Sequence, residues 1–113
     1  MIIQPQTVTQ NDYGYELPFT LEDGDGNPVD ISAASLAIKV QDSQDPTQTN
    51  LFSGDMTVDD GGAGICHYTV AQGNFPNPGI FLAQIVATWS GTETLTWSGL
   101  QIIVQPTLPK SIN

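Results

Sequence analysis

The side chains best suited to catalysis or metal binding are one histidine and one cysteine, and they are neighbours. Cys66 and His67 lie in a segment whose alternating apolar and polar residues predict a β-strand. Successive side chains of a strand point to opposite faces, so these two cannot hold one metal ion together. A zinc site also needs further histidine or cysteine ligands, and the sequence has none. We therefore predict structural roles for both residues, with Cys66 a small core residue.

Catalysis by a nucleophilic serine would also depend on His67, because a Ser–His–acid triad needs a histidine. No serine lies in a Gly-x-Ser-x-Gly motif. Asp59 and Asp60 could be a pair of catalytic carboxylates, but they precede two glycines, and we favour solvated turn residues. Residues 59–64 are glycine-rich but contain no lysine, so they do not resemble a phosphate-binding loop. We predict no catalytic residues and no enzyme activity.

Residues 22–28 place Asp23, Asp25 and Asn27 at alternate positions, as in the first half of a calcium-binding loop. Pro28 stands where that loop requires glycine, and its twelfth position is Ala34 instead of a bidentate glutamate. The glycines and the asparagine also suit a tight turn. We favour the turn over the calcium loop, and we predict no metal ion or other cofactor.

Trp89 and Trp97 could present flat rings to a sugar, or they could be core residues. Their positions in the alternating patterns of their strands place both on the inward face, and we therefore favour a role in the core.

The strand that contains Trp89 is the longest apolar run in the sequence, residues 79–89, interrupted only by Gln84 and Thr88. Because both of its faces are largely apolar, we predict a strand in the middle of a sheet. The residues of its predicted core face are Phe81, Ala83, Ile85, Ala87 and Trp89.

Alternation predicts the other strands as well. They are residues 7–9, 13–21 with the odd-numbered side chains inward, 36–41, 56–58, 66–70 and 95–104. In the last strand, a one-residue bulge at Ser98-Gly99 would bring Leu95 and Trp97 onto the same face as the apolar residues that follow. Phe75 is the predicted core anchor of the connection at 71–78. About seven short strands without a periodic helix indicate an all-β, antiparallel β-sandwich.

The charge of the chain excludes some partners. Its 113 residues, enough for one domain, include twelve acidic side chains and only two basic ones, a net charge of −10. Such a surface repels nucleic acid and anionic membranes, so we predict that neither is a partner. The N-terminus lacks the features of a signal peptide, and the single cysteine allows no internal disulfide. We expect a soluble protein made in a cytoplasm.

From Tyr15 to Val104, the chain resembles the immunoglobulin-like domain at the N-terminus of phage baseplate upper proteins. The resemblance rests on five segments in order: residues 17–21 with 25–31, residues 34–40, the Gly-x-x-x-Tyr strand at 64–70, the Pro-Gly-x-aromatic segment at 78–81, and the apolar strand at 100–104. The sequence differs from the family at position 81, where it has Phe81 and the family usually has tyrosine. Baseplate upper proteins also carry longer stalk or receptor-binding regions, which we do not expect in this protein.

The resemblance implies an immunoglobulin-like sandwich that helps to build phage particles. It predicts an accessory or decoration protein of the virion, made in the host cytoplasm, that docks on the head, neck, tail or baseplate. Its partners would be major capsid or tail and baseplate subunits, with this chain a homo-oligomer or present in many copies. The alternative is a carbohydrate-binding or adhesion module on the particle surface.

The predicted domain organisation is an N-terminal arm at 1–12, the sandwich at 13–104 and a C-terminal tail at 105–113. Apolar residues lie outside the predicted strands in both end segments. The sandwich does not need them, so we predict that they bind other virion subunits. These predicted partner-binding residues are Ile2, Ile3, Leu108 and Ile112.

Overall fold

A computed structural model describes residues 6–42, 50–90 and 93–106. The predicted partner-binding residues Ile2, Ile3, Leu108 and Ile112 lie outside these ranges. The described residues form eight strands and one short 3₁₀ turn. The strands are β1 (Gln6–Thr9), β2 (Glu16–Thr20), β3 (Ser35–Asp42), β4 (Asn50–Asp55), β5 (Thr57–Asp60), β6 (Ile65–Thr69), β7 (Gly79–Trp89) and β8 (Glu93–Gln105), and the 3₁₀ turn is Gly61–Ala63.

The strands form two sheets, which pack face to face around one apolar core. The larger sheet has the order β1-β8-β7-β3-β4, and the smaller has the order β2-β6-β5. Neighbouring strands are antiparallel, except that β1 runs parallel to β8. The predicted all-β, immunoglobulin-like sandwich is therefore confirmed. No helix among the described residues has the length and apolar character to cross a membrane.

Strand β7 lies at the centre of the larger sheet, as its apolar sequence predicts, and pairs with β3 on one side and β8 on the other. Its predicted core residues from Phe81 to Ala87 are 4% exposed or less. Phe81 also packs against Phe75, with the ring centroids 6.2 Å apart, and Phe75 is 1% exposed. The prediction that Phe75 anchors its connection to the core is confirmed.

The predicted bulge in β8 is also present. Ala83 lies opposite Leu100 and Ile85 lies opposite Trp97, so two residues of β8, Ser98 and Gly99, face only Gln84 of β7. Gly99 has a φ of 77°, a left-handed conformation that favours glycine. The bulge keeps Leu95 and Trp97 on the same face as the apolar residues after it, because Leu95 lies opposite Ala87 and Trp97 lies opposite Ile85. Leu95 is nevertheless 38% exposed.

The first long strand is shorter than predicted. Strand β2 begins at Glu16, and Tyr13 is 55% exposed instead of facing inward. Gly14 breaks the extended conformation with a φ of 88°, and its N–H donates to the carbonyl of Val70. The inward positions after it, Leu17 and Phe19, are buried as predicted.

Two further boundaries differ from the predictions. Asp59 and Asp60 belong to β5, so the turn predicted at 59–64 begins only at Gly61. The short strand predicted at 7–9 exists as β1, and Val8 is 4% exposed in the core. The described strands therefore begin at Gln6, inside the segment predicted as an N-terminal arm.

Candidate functional site

His67 lies on the outer face of the smaller sheet, between two carboxylates. Its Nδ1 is 2.7 Å from Oδ2 of Asp59 on β5, and its Nε2 is 3.5 Å from Oε2 of Glu16 on β2. Although it faces away from the core, His67 is only 9% exposed. This one side chain on β6 therefore links all three strands of the smaller sheet.

The electrostatics of this cluster favour the imidazolium form. The hydrogen bond with Asp59 raises the pKa of His67, and the negative charges of Asp59 and Glu16 raise it further, against the opposing effect of burial. A general base needs a free nitrogen within reach of a proton on the group that it activates. Here both ring nitrogens face carboxylates, so the arrangement suits an ion-pair cluster that holds strands together. That agrees with the structural role predicted for His67.

The adjacent carboxylates of Asp59 and Asp60 are not a pair. Asp59 contacts His67, whereas Oδ1 of Asp60 accepts a hydrogen bond from the backbone N–H of Ala63 at 3.3 Å. Asp60 therefore caps the 3₁₀ turn, and the two side chains have separate structural functions. The contact between Asp59 and His67 was not predicted. The glycine-rich turn between their two segments was the only indication that the segments pair with each other.

Cys66 lies on the opposite, core-facing side of β6 and is 0% exposed. Its Sγ lies 3.8 Å from the carbonyl oxygen of Phe19. Burial, with a contribution from the charge of Asp59, raises the pKa of the thiol to about 12. The thiolate is the reactive form of cysteine, and this pKa leaves the thiol protonated near neutral pH. Cys66 is therefore a core residue, as predicted.

In the acidic turn at 22–28, the side chain of the first aspartate forms hydrogen bonds within the turn. Oδ1 of Asp23 accepts hydrogen bonds from the backbone N–H groups of Asp25 and Asn27, at 2.8 and 3.0 Å. Glu22 and Pro28 form a bridge that closes the turn. Within residues 6–42, 50–90 and 93–106, no group of three or more His, Cys, Asp or Glu side chains is placed to hold a metal ion.

The two tryptophans do not form a common platform. Trp97 is 3% exposed, and its Nε1 donates a hydrogen bond to the carbonyl of Glu22 at 2.9 Å. Trp89 is half-buried and packs against the core. Trp97 lies opposite Ile85, four residues before Trp89 on β7, so the two backbone positions are roughly 13 Å apart along the strand. The prediction that Trp97 is a core residue is confirmed.

A shallow groove of about 320 Å³ lies on the outer face of the larger sheet, next to the bulge in β8. Lys39 and Gln84 lie opposite each other at this place, and Gln41 lies opposite Leu82 in the next row. The groove brings one ammonium group together with two carboxamides, an aliphatic side chain and a hydroxyl group. Its lining residues are Lys39, Gln41, Leu82, Ala83, Gln84, Ser98 and Gly99.

The sequence did not predict this groove, because β3 must lie beside β7 and β8, which follow it much later in the chain. Lys39 was the one residue whose type and position could have indicated a site on this face of the sheet. It is one of two basic residues in the sequence, and it lies in a predicted strand with its side chain opposite to the core face.

Comparisons with known proteins give a match of fold. No protein-family model and no curated protein matches the sequence. Among solved structures, CopC from Methylosinus trichosporium OB3b superimposes with a TM-score of 0.54 at 12% sequence identity, covering 92% of this chain and 86% of CopC. A likeness at this identity shows the fold alone: the chain shares a β-sandwich architecture with CopC.

Proposed function

We propose that this chain is a structural protein of a phage particle. In this proposal it is an accessory or decoration subunit that docks on the head, neck, tail or baseplate through protein–protein contacts. It is made in the host cytoplasm and incorporated into the virion as many copies or as a homo-oligomer.

The observation that carries the proposal is the correspondence between the segments of the resemblance and the strands of one sandwich. Each of the five segments that resemble the phage baseplate domain contributes a strand or the start of one. In order, residues 17–20 lie in β2, 35–40 in β3, 65–69 in β6, 79–81 at the start of β7, and 100–104 in β8.

In this sandwich, the structure explains why glycine and tyrosine occur at the two fixed positions of the Gly-x-x-x-Tyr segment. Gly64 has a φ of 72°, and a Cβ added there would lie 2.5 Å from the carbonyl oxygen of Leu21. Four residues later, the hydroxyl of Tyr68 donates to Oδ1 of Asn74 at 2.6 Å, and its ring stacks on Phe52 with centroids 5.7 Å apart. The motif therefore joins β6 to its neighbouring loops and to β4, which supports its use as a sign of this type of domain.

The side chains that could react chemically contribute to the fold, which also supports the proposal of a protein that builds the particle. His67 links three strands, the thiol of Cys66 is buried, and Asp60 caps a turn. Each of these groups is used to hold the sandwich together.

The end segments are the proposed docking elements. Strand β1 begins at Gln6 beside Ile102, and β8 ends at Gln105 beside Thr9, so both end segments attach to the same pair of strands. We propose that the apolar residues of these segments contact neighbouring subunits of the particle. They are Ile2, Ile3, Leu108 and Ile112.

Mass spectrometry of purified particles of the phage that encodes the chain tests this proposal. We expect the full chain in stoichiometric amounts, and a variant lacking residues 1–5 and 107–113 to fold and melt like the full chain but to be lost from particles. Absence of the full chain from particles would contradict the virion role. Full occupancy by the truncated variant would contradict docking through the end segments.

A further inference from the structure

We infer that the outer face of the larger sheet is a second docking surface, which binds a partner segment carrying a carboxylate and an apolar side chain. This inference rests on the proposed function for the source of the partner. Its chemistry rests on the groove beside the β8 bulge and on the residues next to that groove.

The surface consists of three rows across the sheet, which we call the outer strip. Lys39 and Gln84 form the first row, Gln41 and Leu82 the second, and Ile80 and Ile103 the third. Residues directly opposite each other on paired strands share a face, so all six side chains point outward. The strip therefore changes from cationic and polar at one end to apolar at the other.

The apolar end of the strip is exposed to an unusual degree for this molecule. Ile80 is 49% exposed, one of the four most exposed large apolar side chains among the described residues. Its cross-strand neighbour Ile103 and the next outward residue, Leu82, are half-buried. Adjacent exposed aliphatic side chains on a sheet face suit contact with another protein.

At the cationic end of the strip, Lys39 forms no ion pair with a carboxylate of the described residues. Lys39 is exposed, and no carboxylate of the described side chains lies within ion-pair distance of it. The strip also differs in charge from the rest of the molecule. Strand β7 has no charged residue, and the acidic side chain next to the strip is Asp55 on β4, which lies opposite Ala37, one position along the outer face from Lys39. By contrast, seven of the twelve acidic residues lie in β2, β5 and the connection from β2 to β3.

This distribution of charge selects the partner. A segment with a carboxylate would be repelled by most of the surface of a chain with net charge −10, but Lys39 attracts it. The carboxamides of Gln41 and Gln84 and the hydroxyl of Ser98 offer hydrogen-bond donors in the same groove.

The spacing of the rows defines the length of the segment. Lys39 pairs with Gln84, four residues after Ile80 on β7, so the two ends of the strip are roughly 13 Å apart. An extended segment matches this distance when its acidic and apolar side chains are four residues apart. The groove contains no aromatic side chain on which a sugar could stack, so a protein segment is favoured over a glycan.

The direct test is a titration of the ¹⁵N-labelled full chain with the capped peptide Glu-Thr-Val-Thr-Leu, followed by NMR. We expect shift changes confined to β3, β7 and β8, and binding weakened at least about tenfold when glutamine replaces the peptide's glutamate or in the Lys39→Gln variant. Binding should also weaken as salt rises from about 0.01 M to about 1 M. Thr20→Glu, on the outer face of the smaller sheet, has the same net charge as Lys39→Gln and should bind like the wild type.

Several outcomes would overturn the inference: no shift changes on these strands, equal binding of the glutamate and glutamine peptides, or the same changes with acetate alone. Occupancy in particles then separates the two proposals. Lys39→Gln should be incorporated less than Thr20→Glu, and equal incorporation would refute the role of the strip in docking. Absence of the wild-type chain from particles would refute the virion role, while the peptide titration still decides the chemistry of the strip.

Discussion

Nδ1 of His67 lies 2.7 Å from Oδ2 of Asp59, and this contact joins the edge strand β5 to the middle strand of the smaller sheet. On the other side of the ring, Glu16 adds the third strand at 3.5 Å. Because the ring is nearly buried between two carboxylates, its protonation state is coupled to folding.

The contribution of His67 to the stability of the protein should therefore fall as pH rises above about 6.5, the unfolded pKa of histidine. Folding raises the pKa of His67, chiefly through its hydrogen bond with Asp59, so the folded state holds the proton more tightly than the unfolded state. The stabilisation is complete below the unfolded pKa of about 6.5 and is lost as pH rises through the folded pKa. Urea unfolding should show that wild type exceeds His67→Gln in stability by more at about pH 6 than at about pH 9. A constant difference across this range would contradict the prediction.

Gly64→Ala should destabilise the sandwich more than a glycine substitution in open space. At Gly64 the new Cβ would meet the carbonyl oxygen of Leu21 at 2.5 Å, and a φ of 72° adds backbone strain. We expect a loss of at least about 2 kcal/mol in the free energy of unfolding. The control is Gly73→Ala, where φ is 85° but nothing lies within 4 Å, and strain alone should cost about 1 kcal/mol. Equal losses in denaturant melts would show that the close contact does not matter.

Phe81→Ala should remove a central part of the core. Phe81 is 4% exposed and packs edge-on against Phe75, so truncation should cost about 3–5 kcal/mol. The adjacent residue, Ile80, is 49% exposed on the opposite face, and Ile80→Ala should cost less than about 1 kcal/mol. Chemical unfolding of the two variants measures the contrast. A loss below about 1 kcal/mol for Phe81→Ala would mean that its side chain does not lie in the core.

Cys66 should resist alkylation in the folded protein. Burial raises the pKa of its thiol to about 12, so neither thiolate nor solvent access is available near neutral pH. Labelling by iodoacetamide, followed by mass spectrometry, should be at least on the order of a hundredfold slower in the native state than in urea. Similar rates in both states would show that β6 opens readily.

Much of the larger sheet could be predicted from local sequence. The parity of β7 and the glycine after Ser98 were sufficient to predict the core face and the bulge, because both depend on residues close together in the chain. The inward alternation from Tyr13 failed because the left-handed conformation of Gly14, held by its bond to Val70, interrupts the strand.

The two surface clusters could not be predicted in the same way. Asp59 is the extra residue where the β5–β6 register shifts, and that shift is not visible in the alternating pattern. The groove at Lys39 depends on β3, β7 and β8 lying side by side, which is a property of the topology. Local patterns therefore predict which face a residue occupies but not its neighbours from other strands.

Electron cryomicroscopy of purified particles, with and without the gene for this chain, tests the virion role most directly. We predict a difference density at defined sites on the head, neck, tail or baseplate, of the size and two-sheet shape of an immunoglobulin-like sandwich, that returns when the full chain is supplied. Identical maps, with the chain recovered only from the soluble fraction of the lysate, would contradict the account.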